Sequence, residues 1–128
     1  MDKRIGTVCF IIQDNNILLA LIEYGPNDRK WNGIGGHVDS NESPEDAVVR
    51  EFSEETYIKV NKNDLIKVLE INSDIKLLVY KTNHWQGEIK AKEISLKEFR
   101  WFDKDEIPFD QMYPDNKEWL PKLFVNEP

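Results

Sequence analysis

"GGHVDSNESPEDAVVREFSEET", residues 35 to 56, sets seven carboxylates and one arginine between a pair of glycines and the end of a helix. The helix start is written locally. Ser43 suits the N-cap, Pro44 the first helical position, where a missing N–H costs nothing, and Glu45 and Asp46 face the positive end of the dipole. The helix is expected to run to about Thr56. At about 100° per residue, Glu54, Glu51 and Glu55 fall within an arc of about 100°, with Arg50 on the near flank and Val48 and Phe52 beyond Glu55. Like charges three or four residues apart are unfavourable by roughly a few tenths of a kcal/mol in an isolated helix, and more when partly buried. Something should offset that repulsion. One explanation is a solvated charged face in which Arg50 bridges to Glu54. The other is a divalent cation, because clustered hard oxygen ligands suit Mg²⁺ or Mn²⁺ joining carboxylates to substrate phosphates.

The flanking residues choose between them. Gly36, five residues, Glu42, seven residues and then "REFSEETYI" together resemble the signature of the Nudix hydrolase family, matching at Gly36, Glu42, Arg50, Glu51, Phe52, Glu54, Glu55 and Ile58. The departure is Tyr57, where the family pattern has glycine. A tyrosine there either costs roughly a kcal/mol in a left-handed conformation or ends the helix differently; it touches the helix exit and not the carboxylates. The resemblance implies an α+β fold, an α/β/α sandwich in which a mixed β-sheet is flanked by helices, as one domain over residues 1–128. It implies hydrolysis of a nucleoside diphosphate linked to another group, by water attack at a metal-clamped phosphorus.

The chemistry of the side chains agrees with that division of labour. Gly35 and Gly36 let backbone approach a metal or phosphate closely, and the Gly36 carbonyl can be an additional hard ligand. Glu51 and Glu55, one turn apart, can hold a cation together, with Mg²⁺ expected and Mn²⁺ an alternative. Glu54 completes the metal cluster or takes a proton from water. Arg50 orients the glutamates, and Glu42 ties the loop down.

The resemblance extends over nearly the whole chain to the oxidised-purine nucleoside triphosphatase branch, the 8-oxo-dGTP diphosphatases. "KWNGIGGHV" (30–38) is similar to that branch's segment entering the signature, and "WFDKDEIPFDQMYPDNKEWLP" (101–121) to its C-terminal segment. In that branch an asparagine after tryptophan touches the purine edge, an aromatic before Pro-Asp stacks on the ring, and two acids read the base. The positions that match are Asn32, Tyr113, Asp115 and Asn116. Tyr113 offers a π-face, and the two asparagines carry both donors and acceptors. Asp115 could also donate if protonated in a desolvated pocket. Two departures bear on the base: Asn116 replaces the second acid, and Ile22 stands where the branch has a lysine. A functional glutamate before the Trp-Phe strand corresponds to Glu98, with Glu93 as the alternative because the spacing differs by about two residues.

Composition limits the alternatives. The chain of 128 residues has 17 Lys+Arg against 24 Asp+Glu, a formal charge of −7, the wrong sign for gripping a polymeric nucleic acid by counterion release. A small anionic substrate remains possible where something local, such as a bound cation, reverses the field at the site. No apolar run approaches the ~20 residues of a membrane span and no signal-peptide pattern opens the chain, so a cytoplasmic protein without a membrane partner is expected. Cys9, within "TVCFII", reads as a small buried hydrophobe. No "GK[ST]" follows the glycines, which excludes a P-loop. Residues 5–13 and 17–22 read as a hairpin around "DNN", 64–71 and 75–82 as a second around "NSD", and 97–103 as a strand. Residues 23–36 read as a polar, Gly-rich loop. Residues 115–124 read as a short terminal helix disturbed by Pro121.

Bland readings stand beside these. Trp101 and Phe102 suit the core or its edge, Trp119 and Leu120 suit packing of the terminal helix, and Trp31 can support the loop without meeting ligand. Tyr113 is equally an exposed loop aromatic, His37 a loop or phosphate contact, and His84 a surface turn. The reading that emerges is a Mg²⁺-dependent pyrophosphohydrolase of purine nucleoside triphosphates, with oxidised purines among the candidates. The rivals are another nucleoside diphosphate derivative (a dinucleotide, ADP-ribose or a pterin triphosphate) and a catalytically silent nucleotide-binding module. Against the last, a retired site has no need to maintain mutually repelling glutamates. Nothing in the pattern reveals oligomeric state.

Overall fold

A computed structural model describes residues 4–125. Its elements follow the order β1 (Ile5–Gln13), β2 (Asn16–Gly25), β3 (Asp28–Asn32), β4 (Ile34–His37), α1 (Pro44–Glu55), β5 (Thr56–Lys59), β6 (Ile66–Asn72), β7 (Lys76–Thr82), β8 (Gln86–Ala91), β9 (Leu96–Asp103) and α2 (Asn116–Trp119), with a 3₁₀ turn continuing over Leu120–Phe124. A seven-stranded sheet runs β3-β2-β1-β7-β6, with β4 added to β1 and β9 to β2. It is mixed: β1 and β7 are parallel, and the other pairs are antiparallel.

β1 explains why helices cover both faces. A strand turns successive side chains to opposite sides, and here both sets are apolar. Cys9 and Ile11 enter a core with Leu18, Ala20, Tyr80 and the Val48 and Phe52 side of α1. Val8 and Phe10 enter a second core with Ile17, Leu19, Trp119, Leu120 and Leu123. Neither face can remain wet, so α1 closes one and the terminal helical segment the other: the α/β/α sandwich expected from sequence. Full burial of such side chains contributes about 1.5–3 kcal/mol each. Trp119 and Leu120 pack the terminal segment as anticipated, and Trp31 is buried edge-on against Phe102, ring centroids 5.0 Å apart.

α1 begins as its sequence dictates. Ser43 caps it, its Oγ accepting from Asp46 N–H at 3.1 Å. The exit differs from the family pattern in a way that accounts for Tyr57. Thr56 is extended (φ −140°, ψ 172°), and its hydroxyl donates to the Phe52 carbonyl at 2.7 Å and accepts from Ile58 N–H at 2.9 Å. The chain passes straight into β5. Among the described residues only Asp14 and Asn27 are non-glycines at positive φ, so Tyr57 bears no left-handed strain.

Both hairpins form, with Asp14 at φ 57° turning the first. One expectation needs correction, and one small sheet was not anticipated. Residues 23–36 are not a loop: β2 continues to Gly25, a tight turn follows, and β3 and β4 are strands. Their polar alternation masked the half-buried edge that they form against β2 and β1. The small β5–β8 sheet was missed because "TYIK" abuts the helix and "QGEIKA" is polar. The short terminal helix forms as expected: α2 is followed by the 3₁₀ turn that contains Pro121, whose missing N–H an α-helix would use. Among the described residues no helix is long and apolar enough to cross a membrane.

Candidate active site

Where β4 meets α1, Gly36 pairs with Thr7 of β1 and faces Glu51. A Cβ added at Gly36 would stand 2.6 Å from the Glu51 carboxyl carbon, and one at Gly35 would strike the Thr7 carbonyl. Only glycines let this strand pass so close to both neighbours.

Arg50 is the hub of the signature. Nε donates to Glu42 Oε2 at 3.1 Å, and Nη2 donates to Glu42 Oε1 at 2.7 Å and to the His37 carbonyl at 2.9 Å. Nη1 donates to Glu51 Oε1 at 2.7 Å and Glu54 Oε1 at 2.9 Å. A guanidinium's fork of donors makes this possible where an ammonium would not. Glu42 also accepts from Asp39 N–H at 2.9 Å, so Arg50 and Glu42 tie the loop before the helix to the carboxylate stripe. The hydrogen bonds from Arg50 hold the Glu42 carboxyl below its ordinary range.

Glu55 is the stressed member. Burial and then the neighbouring Glu51 push its pKa up to about 9, with Glu93 and Glu54 adding to the effect. Its Oε2 is buried with no partner among the described residues. The helix dipole compounds this, for Glu54 and Glu55 occupy the last turn, at the negative end, and that turn holds no basic residue. The repulsion inferred from spacing is therefore present and is only partly answered by Arg50, which does not reach Glu55. Among the described residues no three acidic, histidine or cysteine side chains converge as a ready-made ligand set, and Arg50 engages two of the three glutamates.

Glu55, Gly35, Gly36 and His37 line one part of a cleft of about 670 Å³ that Asn32, Tyr113, Asp115 and Asn116 also line. Five of the sequence-predicted positions in this cleft come from α1 and β3–β4, and three from the segment around α2. Asn32 Oδ1 accepts from Gly33 N–H at 2.8 Å, and its Nδ2 donates to Tyr24 Oη at 3.2 Å. Asp115 accepts from Trp119 Nε1 at 3.4 Å, and Asn116 is 3% exposed with Nδ2 unpartnered among the described residues. Ile22 lines the cleft where the related branch has lysine. Glu98 is not among the lining residues and is bonded to Arg100 at 2.9 Å, whereas the Glu93 N–H donates to the Glu55 carbonyl at 3.2 Å.

Thr7 and Tyr24 are among the lining residues that escaped the sequence reading. Thr7 is 3% exposed, with Oγ1 unpartnered among the described residues, and its signal was a lone hydroxyl in an apolar strand. Tyr24 had none beyond an aromatic in an apparent loop. All the unpartnered buried polar atoms among the described residues, on Thr7, Glu55 and Asn116, belong to this one cleft. A depression of about 820 Å³ beside Lys59, Lys62, His84 and Trp85 is larger, but none of the signature glutamates lines it.

The family model of the NUDIX domain matches residues 2–123 of this chain. The chain is 32% identical over 126 residues to the oxidized purine nucleoside triphosphate hydrolase of Danio rerio, covering 94% of this chain and 80% of that protein. It is 30% identical over 128 residues to the Mus musculus protein of the same name, with the same coverage. The MutT NUDIX hydrolase from Burkholderia pseudomallei superposes with a TM-score of 0.79 at 26% identity, covering 98% of this chain and all of that one. Members of the family act on small nucleotide substrates and generally need a divalent metal, usually Mg²⁺. On the span of that match and the likeness of those relatives, the chain belongs to the Nudix family of hydrolases, which act on phosphoanhydride bonds.

Proposed function

We propose that this protein is a Mg²⁺-dependent pyrophosphohydrolase that converts purine nucleoside triphosphates, oxidised purines among them, to the monophosphate and diphosphate. One observation carries the reading: the stressed carboxylate Glu55 and the base-matching residues Asn32, Tyr113, Asp115 and Asn116 line the same cleft. The names of the relatives in zebrafish and mouse support the base class.

The residues fit a divalent ion. Glu55 Oε2 lacks a partner among the described residues, three carboxylates supply hard oxygens, and Gly36 carries no Cβ where one would stand 2.6 Å from the Glu51 carboxyl carbon. Glu51, Glu54, Glu55 and the Gly36 carbonyl are the groups that would hold it, with Mn²⁺ as a substitute. The chemistry such an ion supplies is neutralisation of polyphosphate charge and acidification of water.

The chain's own groups do the rest. Arg50 orients Glu51 and Glu54. Glu54, with its side chain 49% exposed, is the candidate to take the proton of the attacking water. The water oxygen bonds to phosphorus, the bridging P–O bond breaks, and diphosphate leaves. Tyr113 stacks on the base while Asn32, Asp115 and Asn116 meet its edge. Glu93 replaces Glu98 as the favoured auxiliary base because it lies at the Glu55 backbone and Glu98 is held by Arg100.

The test is hydrolysis of a panel of triphosphates, ADP-ribose and dinucleotides, with and without Mg²⁺, followed by chromatography of the nucleotide products. Preference by kcat/KM for purine triphosphates, abolished by chelation, is expected. Equal or greater kcat/KM on ADP-ribose or a dinucleotide would overturn the substrate, and no turnover of any compound would overturn the activity. Hydrolysis in ¹⁸O-water locates the attacked phosphorus.

A further inference from the structure

The cleft has an aromatic corner. Tyr24 of β2 and Tyr113, from the loop before α2, meet with ring centroids 5.4 Å apart and planes at 67°. Both line the cleft, yet they remain 42% and 39% exposed. An edge-to-face contact covers only part of each ring. Lys30 braces the pair: its Nζ stands 5.7 Å from the Tyr24 centroid and 5.0 Å from the Tyr113 centroid, and it is held by Asp28. Lys30 itself is not a lining residue, so exposed aromatic surface is left for a ligand.

Tyr24 has a second connection. A backbone N–H can only donate, so the bond from Gly33 identifies the oxygen end of the Asn32 amide, and the NH₂ end faces Tyr24 Oη. One N–H of Asn32 is then left to donate. The buried Asn116 Nδ2 supplies another donor without a partner among the described residues. A buried donor left unmet is costly, and a ligand oxygen placed there removes that cost.

We propose that Tyr24 is a substrate-contact residue that sets base selection. With Tyr113 it forms the corner against which a purine ring stacks. Through its hydroxyl it holds the Asn32 amide with the donor outward. Together with Asn116, this favours a purine edge presenting a carbonyl oxygen, as in guanine or hypoxanthine, over one presenting an amino group. The proposal rests on the nucleotide reading above and concerns which base that site takes.

Equilibrium binding decides it, because binding needs no turnover. GMP, IMP, AMP and inorganic diphosphate are titrated calorimetrically, in Mg²⁺, into wild type, Tyr24→Leu and Tyr24→Phe. Wild type should bind GMP and IMP about tenfold more tightly than AMP, a factor of ten being about 1.4 kcal/mol. Tyr24→Leu should lose about tenfold for all three purines, within the range for one stacked base, with diphosphate affinity unchanged. Tyr24→Phe should keep GMP within a few-fold while the GMP to AMP ratio falls towards one.

The proposal is overturned if wild type binds none of the monophosphates or binds AMP as well as GMP. It is equally overturned if Tyr24→Leu leaves GMP affinity intact or weakens diphosphate as much, which a merely structural role would do, or if Tyr24→Phe keeps the full preference. Should Tyr24→Leu melt early, the Tyr24→Phe ratio decides alone. Failure of the parent reading has a separate signature, namely no diphosphate release from any triphosphate by wild type.

Discussion

Gly36 and Glu51 are in near-contact across the strand–helix junction: a methyl group on Gly36 would stand 2.6 Å from the carboxyl carbon and 2.7 Å from Oε1 of Glu51. Glu51 in turn accepts from Arg50 at 2.7 Å and acts on Glu55. The glycine is thus the floor on which the acidic stripe rests.

Gly36→Ala should displace the Glu51 carboxylate while leaving the fold intact, since the clash is with the end of a side chain. The Mg²⁺ concentration for half-maximal activity is expected to rise about tenfold, the scale of second-layer changes at metal sites. A magnesium titration of initial rates checks it, and an unchanged midpoint would remove Gly36 from the site.

Glu54→Gln and Glu55→Gln should each lower kcat by orders of magnitude. Glu55→Gln should not destabilise the metal-free protein: Glu55 is penalised by burial and by Glu51, so its amide version should melt at or above the wild-type Tm in EDTA. The stabilisation that Mg²⁺ gives wild type should vanish in Glu55→Gln. Near-normal turnover in both variants would defeat the mechanism.

Arg50→Lys should be nearly as damaging as Arg50→Ala, because one ammonium cannot reach Glu42, Glu51, Glu54 and the His37 carbonyl together. Loss of about 1–2 kcal/mol is expected for either, read by urea unfolding. Wild-type stability in the Arg50→Lys variant would show that the loop is held by other means.

The Glu42 carboxyl is depressed below its ordinary value of 4.5, first by the Arg50 hydrogen bond and then by Asp39 N–H. Its contribution is therefore complete above that value and is lost as pH falls through the lower, folded-state one. The Tm of wild type should drop on acidification below about pH 4.5, and the difference between wild type and Glu42→Gln should shrink over the same interval. A difference constant with pH would assign the acid loss to other carboxylates.

Tyr57→Gly, which restores the family residue, should destabilise by roughly 0.5–1 kcal/mol. Position 57 is a strand residue here, with Lys92 Nζ 4.9 Å from the ring centroid, and not a left-handed cap. A gain in Tm on thermal unfolding would mean the helix exit is strained after all.

The sequence by itself determined the parts whose physics is local. Ser43 and Pro44 start α1, 3.6-residue periodicity brings Glu51, Glu54 and Glu55 onto one stripe, and the doubly apolar β1 demands cover on both faces. The fixed spacing from Gly36 to Ile58 sufficed to indicate the family. Tertiary structure alone decided the rest. Residues 23–36 look like loop because their pairing partners in β2 and β1 are supplied by other strands. Thr7, Tyr24, Asn32 and Asn116 share one cleft although they lie far apart in the chain. Nothing local distinguishes Glu98, held by Arg100, from Glu93, at the Glu55 backbone, because which carboxylate reaches the helix end depends on how the β8–β9 turn packs against it. Local rules set conformation and charge spacing, whereas proximity between distant side chains exists only once long-range packing has closed the sandwich.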